Sequence, residues 1–142
     1  ITDRADEATF MATMEDWVQS FGKIDVVMTI GDTLALSAYE VVKDDDTYKD
    51  TQYYGVDGLP ESLLAIKRGH MTATVMQDTD EMAQLNLEAA AKLLKGEEEV
   101  IESEMEAILI TADNVDEYLD YYVEKGALTQ EEVDEVRAEV DG

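Results

Sequence analysis

Short polar groups close three successive apolar segments of this chain. Gly31-Asp32 ends IDVVMTIGD, Asp57-Gly58 ends TQYYGVDG, and Gln77-Asp78 ends MTATVMQD. A sugar hydroxyl both donates and accepts, and the side chain of an Asp or a Gln can engage two adjacent hydroxyls at once, so these residue types suit a polyhydroxylated ligand. Each residue also has a structural reading. Asp32 stands where a helix N-cap is needed. Asp57 precedes a glycine in a turn that requires no ligand, and Gln77 can bond backbone at the end of a strand.

Little else in the chain is equipped for chemistry. A Ser–His–Asp arrangement would have to use the lone His70, and there is neither a Gly-x-Ser-x-Gly elbow nor a Gly-rich phosphate loop. His70, in KRGH, reads as a surface imidazole near a helix C-terminus. The run Asp44–Asp46 lacks the glycine and terminal glutamate of a calcium loop and reads as a solvated loop. The methionines read as core filler. Carboxylate pairs abound, but nothing positive favours glycoside hydrolysis. The expectation is binding without catalysis, and with neither cofactor nor metal.

Charge narrows the partners. Ten Lys and Arg stand against 35 Asp and Glu, a net charge of −25 over 142 residues. Such a surface repels nucleic-acid phosphates and anionic membranes. Hydrophobic residues still make up 45% of the chain, which is enough for a core and too many for a disordered polymer. Cysteine is absent, so disulfides and thiolate metal sites are excluded. No apolar run approaches the ~20 residues of a membrane-spanning helix. The chain opens on Ile1 and shows no signal peptide, and it is expected to be a fragment or a processed chain.

The elements that must position those polar groups follow from periodicity. Phe10, Met14, Trp17, Val18 and Phe21 share one face of a first helix that Gly22 stops. Residues 24–31 read as a strand buried on both faces, as in parallel sheets. A helix capped by Asp32 or Thr33 follows, then a loop at 44–50 and a strand at 51–58. Pro60 opens the third helix near its first turn, Gly69 ends it, and residues 71–77 form the third strand. Thr79 or Asp80 caps a fourth helix in which Met82, Leu85, Ala89 and Leu93 share a face; Gly96 ends it. Residues 105–111 are the fourth strand. Asp113 or Asn114 starts a fifth helix bearing Val115, Tyr118, Leu119, Tyr122 and Val123. Thr129 and Glu132 make a capping box for the last helix, with Val133, Val136 and Val140 inward. Alternation of this kind indicates an α/β fold with a parallel sheet and flanking helices, ending in an acidic helical tail. Ligands of open parallel sheets bind beyond the carboxyl ends of the strands, which is where the three polar groups lie.

Four stretches in register carry a family resemblance: IDVVMTIGDTLALSAYEVVK, then YYGVDGLPESLLAIKRGHMTATVMQ, with AAAKLLKGEEE and the following MEAILITADNVDEYL. Over about residues 7–118 the sequence resembles the carboxyl-terminal half of the periplasmic sugar-binding proteins of the ribose-binding type. The resemblance implies two lobes about a cleft, with a sugar or small polar solute held between them. It places the family's strand-end Asp on Asp57 and its hinge-region Gln on Gln77. Its Asn-Asp pair falls on Gly31 and Asp32. The Asp of that pair is mainly structural in the family, and the amide is missing at Gly31, so ordinary ribose specificity is in doubt. It divides the chain into part of the carboxyl-terminal lobe (1–77), a segment crossing to the amino-terminal lobe and returning through the hinge (78–111), and the helical acidic tail (112–142).

On that resemblance the expected function is solute capture by an exported receptor, periplasmic or a cell-surface lipoprotein, that docks to the membrane permease of an ABC-type importer. The alternatives are the effector domain of a sugar-responsive transcription regulator or sensor, and an interaction domain that has lost its ligand. With half of the cleft absent, the apolar faces of helix 80–95 and of the first sheet edge are expected to be covered by self-association or domain swapping.

Overall fold

The computed structural model describes residues 7–97 and 105–141. In chain order the elements are α1 (Glu7–Ser20), β1 (Val26–Met28), α2 (Asp32–Val42), β2 (Gln52–Asp57), α3 (Pro60–Arg68), β3 (Ala73–Met76), α4 (Thr79–Lys95), β4 (Ile108–Thr111), α5 (Val115–Glu124) and α6 (Gln130–Asp141). The strands form one sheet in the order β1-β2-β3-β4. The first three are parallel, with Val27 opposite Tyr53 and Tyr54 opposite Ala73.

β4 departs from the all-parallel expectation. It runs antiparallel to β3, with Ala73 opposite Thr111 and Met76 opposite Ile108. A crossover to a parallel strand needs a helix lying back on the sheet, and α4 buries none of its residues. The chain instead leaves the sheet after Gln77 and comes back in the opposite direction. β1 is also corrected. It is an edge strand with one covered face: Val27 is buried while Val26 and Met28 are exposed.

Local signals account for most helix ends. Pro60 occupies the first turn of α3, where a missing N–H costs nothing. The capping box of α6 is present, with Thr129 N–H on Glu132 at 2.8 Å and Glu132 N–H on Thr129 Oγ1 at 3.2 Å. Val133 and Val136 are fully buried, whereas Val140, expected inward, is exposed on the last turn. α4 is capped one residue earlier than expected: Asp78 accepts from Asp80 N–H and Glu81 N–H, both at 3.0 Å. The loop at 44–50 contains a single 3-10 turn, Asp46–Tyr48, which Asp45 caps. Its Tyr48 hydroxyl reaches the Val18 and Phe21 carbonyls at the end of α1.

The core lies between the sheet and the helices α1, α2, α3, α5 and α6. Met14, Leu63, Ile110, Leu119 and Val136 are its fully buried members from separate elements. Trp17 and Phe21, on the shared apolar face read for the first helix, are 40% and 55% exposed, because α2 covers only part of that wide stripe. α5 and α6 both pack on α3, so the acidic stretch belongs to the core in packing though not in composition. α4 is the exception, with Leu87 and Leu94 largely exposed.

Asp116 ties the three packed helices together. Its carboxylate meets Lys67 Nζ from α3 at 2.7 Å and Arg137 Nε from α6 at 2.9 Å. The Lys67 hydrogen bond, opposed by burial and reinforced by the hydrogen bond and charge of Arg137, holds the Asp116 carboxyl below its ordinary value. A depressed folded pKa stabilises the fold above the unfolded value, and that stability is lost as pH falls through the folded one. Asp116→Asn should therefore cost about 1 kcal/mol near neutral pH, allowing for solvent screening of a half-exposed group. Its thermal midpoint should converge with that of the parent as pH falls through the depressed folded pKa of Asp116; a deficit independent of pH would remove the ion pairs as its cause.

Candidate functional site

The carboxyl edge of the sheet is organised around a buried carboxylate. Asp32 is fully buried at the start of α2 and does not cap it. Gly31 is the N-cap residue, so the cap reading of Asp32 is corrected. The carboxylate turns inward instead. Oδ1 accepts from the Thr74 hydroxyl of β3 at 2.6 Å, and Oδ2 accepts from the Ser62 hydroxyl of α3 at 2.6 Å and from Leu59 N–H at 2.8 Å. These bonds join α2, β3 and the turn into α3, and offset the cost of burying the group. Gly55 of β2 makes the approach possible, since a Cβ there would collide with Oδ1 of Asp32.

The exposed chemistry sits above this anchor. Asp57, the last residue of β2, has φ 114, the only positive φ outside glycine among the described residues. Its backbone carbonyl accepts from Gln77 N–H at 3.4 Å. Its Oδ1 accepts from Gln77 Nε2 at 3.2 Å. Gly58 follows with φ 71, and a Cβ there would lie 2.7 Å from Met76 Cβ, so the turn admits only glycine. Gly58 N–H donates to Thr74 Oγ1 at 3.2 Å, which links the turn to the buried carboxylate.

Gly31 belongs to the same edge. A Cβ at this position would sit 3.2 Å from Asp57 Oδ2, so the missing side chain leaves that oxygen uncovered. Oδ2 accepts no hydrogen bond among the described residues. An open recess of about 370 Å³ lies beside it, lined by Ile30, Gly31, Thr33, Leu34, Asp57 and Glu7. Partial burial, followed by the charge of Asp32, raises the Asp57 carboxyl above its ordinary value. On the far side of Gln77 a recess of about 240 Å³ separates the start of α4 from the end of α5. There Lys125 pairs with Asp80 at 2.7 Å and lies over the Tyr121 ring at 5.4 Å.

The structure thus brings Asp57, Gln77 and Gly31 together at one edge and places Asp32 beneath them. The arrangement can do definite chemistry. Facing a carboxylate, the Gln77 amide must present its NH₂, which leaves its carbonyl oxygen free to accept. Asp57 Oδ2 is a second free acceptor, so two acceptors on adjacent strand ends face the same space. No group of three or more His, Asp or Glu suited to a metal occurs among the described residues. His70 stacks on Tyr39 at 4.5 Å, and burial lowers its pKa, so it is a packed ring and not a free surface imidazole.

Sequence reasoning missed Thr74, Ser62 and Tyr122. Thr74 carries a signal, being a hydroxyl at an inward position of an otherwise apolar strand. Tyr122 carries none, because its hydroxyl meets the Gly58 carbonyl, 64 residues away in sequence, at 2.5 Å.

Comparison with known proteins identifies the family. Residues 1–98 match the model of the periplasmic binding protein domain. The chain belongs to that family. A xylitol-binding protein of Mycolicibacterium smegmatis is 31% identical over 111 residues, which are 78% of this chain and 32% of that protein. A ribose import binding protein of Haemophilus influenzae is 32% identical over 83 residues, 58% of this chain and 28% of the relative. An ABC transporter solute binding protein of Bacillus halodurans, solved with bound myo-inositol, superposes with a TM-score of 0.73 at 31% identity. That match covers 82% of this chain and 40% of the solved one. This periplasmic binding protein domain therefore spans about a third of the length of these curated relatives.

The buried anchor makes a strong stability prediction. Asp32→Ala strands the Leu59 N–H and the Thr74 hydroxyl without their acceptor, while the Ser62 hydroxyl keeps the Leu59 carbonyl at 2.6 Å; the change should cost about 3–5 kcal/mol. Gly55→Ala should be similarly damaging, because backbone and carboxylate would have to move apart. Urea unfolding measures both, with Asp45→Ala, loss of an exposed cap, expected at about 1 kcal/mol. An Asp32 variant no worse than that control would show the buried carboxylate to be dispensable.

Proposed function

We propose that this chain forms one wall of a cleft that captures a sugar or polyol, within the receptor of an ABC-type importer. The observation that carries the reading is the Asp57–Gln77 pair. Two side chains on adjacent strand ends share a hydrogen bond, and each still has an oxygen free to accept a ligand hydroxyl. The names of the relatives point to ligands of the same class: xylitol, ribose and myo-inositol. In the intact receptor a second lobe would supply the opposite wall. Ligand touching both walls would stabilise the closed form, which docks to a membrane permease. Such a receptor works outside the cytoplasm, in the periplasm or on the cell surface.

Gly31 refines the ligand. Where a side-chain amide would share the ligand's hydroxyls, this chain has open space beside Asp57 Oδ2. A ligand with a longer or more heavily hydroxylated frame than ribose fits that recess, which favours polyols and cyclitols.

Calorimetric titration of the protein with myo-inositol, xylitol and D-ribose tests the reading. The two polyols should bind more tightly than ribose, and Asp57→Ala should weaken the better ligand about 10- to 100-fold, the effect of losing a charged hydrogen-bond acceptor. Gly31→Asn should shift preference toward ribose. The ionised carboxylate is the stronger acceptor, so affinity should fall on acidification, starting above the usual carboxyl range because the Asp57 pKa is raised. Heats absent for all three ligands, or an Asp57→Ala protein that binds like the parent, would refute the assignment.

A further inference from the structure

The strained conformation of Asp57 must be held by something, and the bonds that hold it can be traced. Relaxing φ 114 swings the Asp57 carbonyl carbon about the N–Cα bond and so carries the Asp57–Gly58 peptide plane with it, which needs compensating changes in ψ of Asp57 and at Gly58. Two bonds oppose the rotation of that plane. Asp57 C=O accepts from Gln77 N–H, and Gly58 N–H donates to Thr74 Oγ1. They do not fix the next plane, Gly58–Leu59. Its N–H is held by Asp32 Oδ2, and its carbonyl by the Tyr122 hydroxyl at 2.5 Å. With both planes fixed, Gly58 has no freedom left to absorb a relaxation of Asp57.

The Tyr122 bond comes from outside the sheet. Tyr122 lies near the end of α5, a helix seated on α3 through the buried Val115 and Leu119 and the Lys67–Asp116 pair. Its ring is partly buried and meets Tyr121 edge-on at 5.4 Å. Burial raises the phenol above its ordinary value, so the group remains a proton donor at any physiological pH.

We infer that Tyr122 is a positioning residue for the ligand site: its hydroxyl locks the Gly58 carbonyl and thereby aims the Asp57 carboxylate beside Gln77. The packing of α5 on α3 is in this way coupled to the binding edge. The inference rests on Asp57 facing the ligand, but its structural half can be tested without any ligand.

The test is Tyr122→Phe, which deletes one oxygen and keeps the ring, with Tyr121→Phe as control. In NMR spectra of the ligand-free protein, Tyr122→Phe should move the Gly58 carbonyl carbon upfield and shift the Asp57 carboxyl titration, while the thermal midpoint falls by only about a few degrees. Tyr121→Phe should leave both signals in place. Affinity for myo-inositol should drop about tenfold in Tyr122→Phe alone, the equivalent of one hydrogen bond. If the Gly58 and Asp57 signals stay put in a folded Tyr122→Phe protein, or if both variants lose affinity equally, the positioning role is overturned. If the signals move and the parent protein does not bind myo-inositol, the role stands and the assignment of ligand class fails. Should Tyr122→Phe not fold, 3-fluorotyrosine labelling serves: its more acidic phenol should move the Gly58 carbonyl carbon downfield, and an unmoved signal overturns the inference.

Discussion

A carboxylate removed from water must be given donors, and in this chain meeting that demand organises the site. The Asp32 side chain is fully buried, so its oxygens accept from β3, from α3 and from the turn between β2 and α3. Oδ1 has only the Thr74 hydroxyl among the described residues, and Oδ2 shares Ser62 and Leu59 N–H, so weakening these bonds costs heavily in a dry interior. The relative positions of α2, α3 and β3 are thus set by one acidic group. Hydrophobic contact could not do this alone, because apolar packing is non-directional and tolerates sliding. The consequence reaches the surface through Thr74, whose oxygen receives Gly58 N–H while its proton goes to Asp32. The exposed Asp57 is placed by a bond chain that begins at a buried Asp32.

Much of this architecture was legible in the sequence, and the parts that were not share a physical cause. Periodicity and caps are local properties. Pro60 at the start of α3 and the Thr129–Glu132 box fell where their chemistry puts them, and the parallel run of β1, β2 and β3 followed from their alternation with helices. The neighbouring positions of Asp57 and Gln77 came with that register. Asp32 did not, since an Asp at a helix start satisfies the cap pattern whether its side chain turns to the helix or to the core. The choice between them depends on Ser62 and Thr74, 30 and 42 residues away. β4 was misjudged for a similar reason: strand composition does not encode direction, which is fixed by where α4 goes. The alternating exposure of β1 depends on its being at the sheet edge, which no window of sequence contains.

The helices after the sheet show how little composition says about packing. α6 carries acidic residues along most of its length and still buries Val133 and Val136 completely, held by its single cation against α5 and by one of its acids against a cation of α3. Arg137 meets Asp116 and Asp120, and Arg68 meets Glu139 at 2.6 Å. With so few basic residues in the chain, placing them at helix contacts makes them act as clamps that a net charge of −25 would otherwise oppose. α4 has the better apolar stripe of the two by sequence, yet it buries nothing among the described residues. Apolar patterning reports a face that can be buried, and the topology decides whether this chain buries it.

These constraints explain how one edge can be rigid on one side and open on the other. Asp57 is strained, and strain survives only where neighbouring bonds leave no alternative. Here the alternatives are removed by Thr74, Gln77 and Tyr122, from β3, the residue that follows it, and α5. A carboxylate already held in place gives up little conformational entropy when a ligand arrives, so more of each hydrogen bond appears as affinity. Gly31 works the other way. Its lack of a side chain leaves Asp57 Oδ2 uncovered and the recess beside it empty of protein, so a bound hydroxylated ligand would have to meet that oxygen itself. On the proposed function, the fixed acceptors would supply affinity for hydroxyl groups in general, whereas the space at Gly31 would select among ligands by size. For a hydroxylated ligand of the kind proposed, selectivity at this edge would depend more on the missing atoms at Gly31 than on the bonds of Asp57.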